Sequence, residues 1–163
     1  MTTQSALDAP NAVTIRDDVS FTKTIHFGVD RFIMLNRLTT CTETTLIAET
    51  EFSDAPAYLV LEAMAQAGAL HFRYCMDFCK HAFLLTVQEA PLLNVQSFSG
   101  RATICVTQNA ITDSTAGYQS TFTIDNHTLT GDFLFGSAPF GDQFSRDSLT
   151  THYKKLFQWL QNA

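Results

Sequence analysis

Residues 55–70, Ala-Pro-Ala-Tyr-Leu-Val-Leu-Glu-Ala-Met-Ala-Gln-Ala-Gly-Ala-Leu, constrain this chain more than any other segment. Only Glu62 and Gln66 in that run carry strongly polar side chains. A helix that is apolar on nearly every face has to be surrounded by protein. Its Ala and Gly content lets another backbone or ring approach closely on at least one side. The expected start is Asp54-Ala55-Pro56, with Asp54 as acceptor for the first free amides and Pro56 in the first turn, where no hydrogen bond is lost. This is the central helix, and the rest of the chain must supply its cover.

The flanking patterns are those of strands. Phe32 to Leu38 leads into a Thr-rich stretch, and Thr45 to Phe52 follows as a second strand, with Thr42-Glu43-Thr44 as the turn. After the helix, residues 82–87 and 102–106 read as strands separated by a segment containing Gly100. Residues 118–124 and 128–135 form a hairpin around Asp125-Asn126. Leu149, Tyr153, Leu156, Phe157 and Leu160 keep helical spacing, which predicts an amphipathic helix from about residue 146. The polar residues 1–20 read as a loosely held N-terminal arm, and 21–163 as a single domain. The order is two strands, one buried helix, four strands and a last helix. That is an α+β chain, and a curved antiparallel sheet wrapped around one long helix is one of several architectures this order allows.

Composition narrows the function. Ten Lys and Arg against sixteen Asp and Glu leave a net charge of −6, the wrong balance for neutralising phosphates, so nucleic acid is excluded as a partner. Fourteen Phe call for an apolar interior, tunnel or interface. No window reaches the roughly 18 apolar residues of a membrane span. The first residues show no basic segment followed by an apolar core, so a cytoplasmic protein is expected. Four Cys, at 41, 75, 79 and 105, form no CxxC, and free thiols in a reducing compartment are the economical reading.

Other chemistries are absent or improbable on spacing. No nucleophile elbow, phosphate loop or zinc-protease motif occurs. His71, Cys75 and Cys79 recur along one helical stripe, but three ligands over two turns span about 12 Å, too far for one ion. They read as packing residues towards the end of the helix, and no metal is expected. Arg31, Arg37, Arg73, Lys80 and Arg101 are the cations available for a patch facing an acidic carrier protein. Solvated surface charge is the preferred account of them.

Leu59-Val60-Leu61-Glu62-Ala63-Met64-Ala65-Gln66-Ala67-Gly68 resembles the central-helix signature of the bacterial beta-hydroxyacyl-acyl-carrier-protein dehydratases. Phe32 to Leu38 is similar to that family's first strand, with Asn36 where Asp is usual, and Phe98-Ser99-Gly100 falls where the family often has a Pro-Gly-Asp turn. The resemblance covers about residues 30–137 and implies the hotdog fold. It also implies a dimer whose two sheets join, with an acyl-thioester site between protomers bordered by Glu62 and Gln66. Glu62 falls on the family's catalytic acid. The loop entering the helix departs from the pattern: Glu51-Phe52-Ser53-Asp54-Ala55-Pro56-Ala57 is shorter and lacks the family's His, and Pro56-Ala57 stands where the Pro-Gly would be.

Dehydration of a beta-hydroxyacyl thioester needs a base for the alpha proton and an acid for the departing hydroxyl. A buried Glu62 suits the acid role, because desolvation disfavours the charged form. The loop supplies no base, and His26 and His81 lie outside the motif. The expected function is therefore binding of acyl thioesters on an acyl carrier protein or coenzyme A, with dehydration lost. The alternatives are a thioesterase in which Glu62 activates water, and a dehydratase with a relocated base. Glu62 is the catalytic candidate, and Gln66, Pro56, Ala57 and Phe52 are the substrate-binding candidates. No cofactor is expected beyond the phosphopantetheine or coenzyme A that carries the substrate. A homodimer is expected, or a heteromer with a related hotdog protein.

Overall fold

A computed structural model describes residues 33–89, 97–141 and 146–163. The expected arm at 1–20, together with His26, Arg31 and Phe32, lies outside the described residues. The order of elements is β1 (Arg37–Cys41), β2 (Thr45–Pro56), α1 (Ala57–Cys75), β3 (Lys80–Gln88), β4 (Ser97–Ile111), β5 (Thr115–Ile124), β6 (His127–Pro139) and α2 (Arg146–Asn162). The strands form a six-stranded sheet in the order β1-β2-β4-β5-β6-β3, and every pairing is antiparallel.

Alternation along the central strands sets which face meets the helix. Leu46, Ala48, Thr50 and Phe52 of β2, Ala102, Ile104 and Val106 of β4, and Tyr118, Ser120, Phe122 and Ile124 of β5 are all buried. On a pleated strand alternate residues share a face, so one sheet face is buried and is apolar but for Thr50, Ser120 and the Tyr118 hydroxyl. α1 packs on that face and touches β2, β3, β4, β5 and β6. Its buried residues include Val60, Ala63, Met64, Ala67 and Phe72. Gly68 is where the helix comes closest to the sheet, since a methyl group there would sit 2.6 Å from the Phe135 ring of β6.

The strand β3 breaks the alternation. Ala82 is its one buried residue, and Phe83, Leu84 and Leu85 are 45%, 43% and 50% exposed. It is an edge strand, and its register against β6 shifts between Leu84 and Thr86. A bulge turns successive side chains out of strict alternation, so apolar groups face both sides of this edge.

Several boundaries differ from expectation. The first strand is displaced: pairing begins at Arg37 and runs through the Thr-rich stretch, while residues 33–36 lie outside any strand. Met34 is held there by its carbonyl, which accepts from the Thr50 hydroxyl. The helix start was also misplaced. Pro56 is the residue before the helix, in an extended conformation, and no side chain caps the first turn. Asp54 instead sits at φ 49 in a bulge of β2 and donates its backbone N–H to Ser99 Oγ (2.8 Å). Pairing of Ala55 with Phe98 and Pro56 with Ser97 extends the strand right up to the helix. Phe98-Ser99-Gly100 is accordingly strand rather than turn, with Gly100 at φ +119 beside the bulge.

The helix also runs further than residue 70 and ends at Cys75, so Cys79 lies beyond it, just ahead of β3. The hairpin turn at Asp125-Asn126 and the turn at 42–44 fall where expected; Thr42 closes the latter by accepting from the backbone N–H groups of Thr44 and Thr45.

α2 docks where α1 ends. Phe157 stacks on Tyr74 with centroids 5.2 Å apart and meets Phe78 edge-on at 5.4 Å. The Thr150 hydroxyl donates to the Phe78 carbonyl (3.2 Å), and Lys154 pairs with Asp77 at 2.8 Å. These contacts lay α2 across the side of α1 that the sheet leaves open.

Candidate functional site

Between α1, the β3 edge and α2 lies a groove of about 350 Å³. That size falls at the lower end of small-molecule pockets. Glu62, Ala65, Gln66, Ala69 and Arg73 line it from α1. Their spacing of three and four residues places them on one stripe of the helix. The two alanines leave a low floor between polar ends. Phe83 and Leu84 of β3 with Phe135 of β6 form one wall, and Tyr153, Leu156 and Leu160 of α2 form the other.

At the first end, Gln66 Nε2 donates to Glu62 Oε1 (3.0 Å), and Gln66 Oε1 accepts from the Met34 backbone N–H (2.9 Å). The carboxamide thus uses both ends of its dipole to orient the carboxylate and to tie the chain ahead of β1 to the helix. Glu62 Oε2 carries no hydrogen bond among the described residues, which leaves one oxygen for a ligand or a water. Glu62 itself is half-buried.

At the other end stands Arg73. Its Nη2 donates to the Ala82 carbonyl (2.8 Å), and its guanidinium lies 4.5 Å from the centroid of the Tyr153 ring. Nε has no hydrogen-bond partner, and no carboxylate pairs with this cation among the described residues. Burial pulls its pKa below the ordinary value, with Tyr153 acting in the opposite direction.

No protein-family model matches the sequence, and no curated protein matches it. Solved structures do. A dehydratase heterocomplex from Xenorhabdus doucetiae superposes with a TM-score of 0.58 at 12% identity, covering 68% of this chain and 85% of that one. A mutant thioesterase from Pseudomonas aeruginosa gives 0.54 at 16% identity, over 64% of this chain and 81% of that one. A Streptococcus mutans protein bound to acetyl CoA gives 0.53 at 12% identity, over 63% and 88%. The chain has the hotdog fold.

Within this hotdog the expected site residues divide. Glu62 and Gln66 meet each other and line the groove. Phe52 does not; it is buried in the core against Phe122, with ring centroids 5.9 Å apart. Pro56 and Ala57 stand at the junction of β2 and α1 and are not among the groove's lining residues. The first amides of α1, from Ala57 onward, carry no side-chain cap and so keep free donors.

No imidazole lines the groove among the described residues. His81 sits at the start of β3 with its ring edge-on to Phe140 at 4.5 Å. His71 is fully buried. Its Nε2 lies 3.0 Å from the Thr42 carbonyl, which can only accept, so Nε2 bears the proton. Nδ1 then accepts from the Tyr118 hydroxyl at 2.8 Å. Burial lowers the His71 pKa against a smaller opposing effect of the Thr42 carbonyl, consistent with this neutral tautomer. Cys75 Sγ is 3.6 Å from Nδ1, and burial raises this thiol's pKa. His71 is thus a satisfied core residue, and with both ring nitrogens engaged it is not a ready metal ligand.

Sequence reasoning missed Arg73 and the wall contributed by α2. Among the other cations of the supposed patch, Arg37 pairs with Glu49 at 3.0 Å and Lys80 donates to the Asp113 carbonyl at 2.7 Å. Arg37 and Lys80 are therefore held by separate partners, and Arg101 is exposed on β4. An arginine in the last turns of a helix is commonly surface charge, and only the arrival of Tyr153 from the far end of the chain encloses this one.

Proposed function

We propose that this protein binds acyl thioesters carried on an acyl carrier protein or coenzyme A, and that it does not dehydrate beta-hydroxyacyl substrates. The observation that carries this reading is the pairing of a Gln66-oriented Glu62 carboxylate with an apolar groove that has no imidazole among its described lining residues. A thioester at the Glu62 end would place its acyl chain over Ala65 and Ala69. A single positioned acid, without a base of different proton affinity across the substrate, cannot complete the elimination. The carrier's phosphopantetheine or coenzyme A would be the only prosthetic chemistry involved. A cytoplasmic setting fits the four cysteines, which form no disulfide among the described residues; no helix among them is long and apolar enough to cross a membrane.

A second copy of the chain, or a related hotdog protein, is expected along β3. That edge has no further strand beside it among the described residues and carries exposed Phe83, Leu84 and Leu85 beside the groove, and such an edge is a template for pairing. Sedimentation that returns only monomer at micromolar concentration would count against it.

The test of function follows hydration of a short enoyl thioester by its ultraviolet absorbance, alongside titration with an acyl-pantetheine analogue. Binding of the analogue with turnover below about one per second, the low end of ordinary enzymes, is the expected result. Faster turnover would overturn it. Hydrolysis is the second reading, favoured by Glu62 Oε2, which carries no hydrogen bond among the described residues and can hold a water against a bound thioester. Release of free thiol from acyl-coenzyme A, lost in Glu62→Ala, would establish it.

A further inference from the structure

The groove has opposite charges at its two ends and nothing charged between them. Glu62 and Arg73 are the only carboxylate and the only Lys or Arg among its described lining residues. They are eleven residues apart on α1, about 16 Å of helical rise. Glu62 has Gln66 to orient it. Among the described residues half-buried Arg73 has one carbonyl and one aromatic face, no carboxylate pairs with it, and its Nε has no acceptor. Buried cations are normally paired, because removing a charge from water is costly. An arginine that stays unpaired at the end of an apolar groove is suited to an anion brought by the ligand.

We propose that the acyl chain bound here ends in a carboxylate and that Arg73 receives it, so the groove selects omega-carboxyacyl thioesters over plain alkyl ones. The inference rests on the acyl-thioester reading and names its substrate class. Glu62 at the opposite end repels a second carboxylate and so fixes the direction in which the chain lies. Ala65 and Ala69 floor the stretch between, with Leu156 above, and offer nothing to a polar chain. The other anion such a ligand carries is the phosphate of the pantetheine arm. That group bears up to two charges and favours clustered donors, whereas Arg73 is the single Lys or Arg among the described lining residues. One guanidinium that lines the groove and pairs with no carboxylate among the described residues matches one carboxylate.

The experiment is calorimetric titration of the full chain with hydrolysis-resistant amide analogues of acyl pantetheine, in pairs of equal chain length: adipoyl against hexanoyl, and suberoyl against octanoyl. The carboxylated member of at least one pair is expected to bind about tenfold tighter or more, the worth of a charge-assisted contact in a dry site. In Arg73→Gln the preference of the carboxylated over the alkyl member should fall to about twofold or less. Glutamine keeps a donor for the Ala82 carbonyl and a flat amide against Tyr153, so the fold is retained while the charge is lost. Equal or weaker binding of the carboxylated ligands to the wild-type chain overturns the proposal while leaving the acyl-thioester reading intact. A preference that survives in Arg73→Gln overturns it as well. So does an Arg73-dependent gain that follows the phosphate of phosphopantetheine rather than the acyl carboxylate. Failure of every analogue to bind removes both this proposal and the reading beneath it.

Discussion

Gly68→Ala tests how closely α1 is seated on the sheet. A methyl group at this position would stand 2.6 and 2.7 Å from two atoms of the Phe135 ring. Carbon atoms pack best at about 3.5–4.0 Å, so the ring or the helix must shift by about 1 Å. The ring has little room, because it is 1% exposed, stacks on Phe133 at 6.3 Å and meets Tyr118 edge-on at 5.6 Å. Overpacking of this kind costs about 1–3 kcal/mol. Replacing Gly by Ala inside a helix returns about 0.8–1 kcal/mol. At the middle of these ranges the net expectation is a destabilisation of about 1 kcal/mol, read as a lower urea midpoint at unchanged slope. Phe135→Leu removes the offending ring edge, and in that background Gly68→Ala should become neutral or stabilising. A single Gly68→Ala variant as stable as the parent, or more stable by the helix-propensity increment, would refute the close contact and the helix placement that depends on it.

Two further outcomes follow from buried groups. His71 is held neutral in the fold with its pKa below the ordinary 6.5; the unfolded chain therefore takes up a proton first, and stability that is complete above about pH 6.5 should decline as pH falls below it. Urea midpoints between pH 7.5 and 5.5 should fall, and His71→Gln should flatten that slope, leaving a smaller contribution of the same sign from His81, whose pKa is lowered by burial and by Arg73. Cys41 is pushed up to about 11 by burial and by neighbouring Cys75, so at pH 8 it should alkylate far more slowly in the native chain than in urea, as mass spectrometry of iodoacetamide-treated protein would show; equal rates would contradict its burial.

The central helix was legible because its evidence is local and unambiguous: an unbroken apolar run has one place to go, the inside. Glu62 and Gln66 were legible for the same reason, since a four-residue spacing puts two polar groups on one face whatever surrounds them. The strands β4, β5 and β6 announced themselves by alternation, which records burial on one face. Asp54 and Pro56 misled because a cap reading considers only the helix, whereas the backbone there pairs with β4, and the ladder's hydrogen bonds outweighed the cap. β3 carries no clear alternation because an edge strand with a bulge has no single buried face to encode. Arg73 shows the limit most plainly. Leu70-His71-Phe72-Arg73-Tyr74 says only that a cation ends a helix; whether it meets water or an apolar groove depends on Tyr153, Leu156 and Leu160, which reach it only once α2 has folded back. Burial of one side chain by another element is a property of the assembled structure, and no local pattern specifies it.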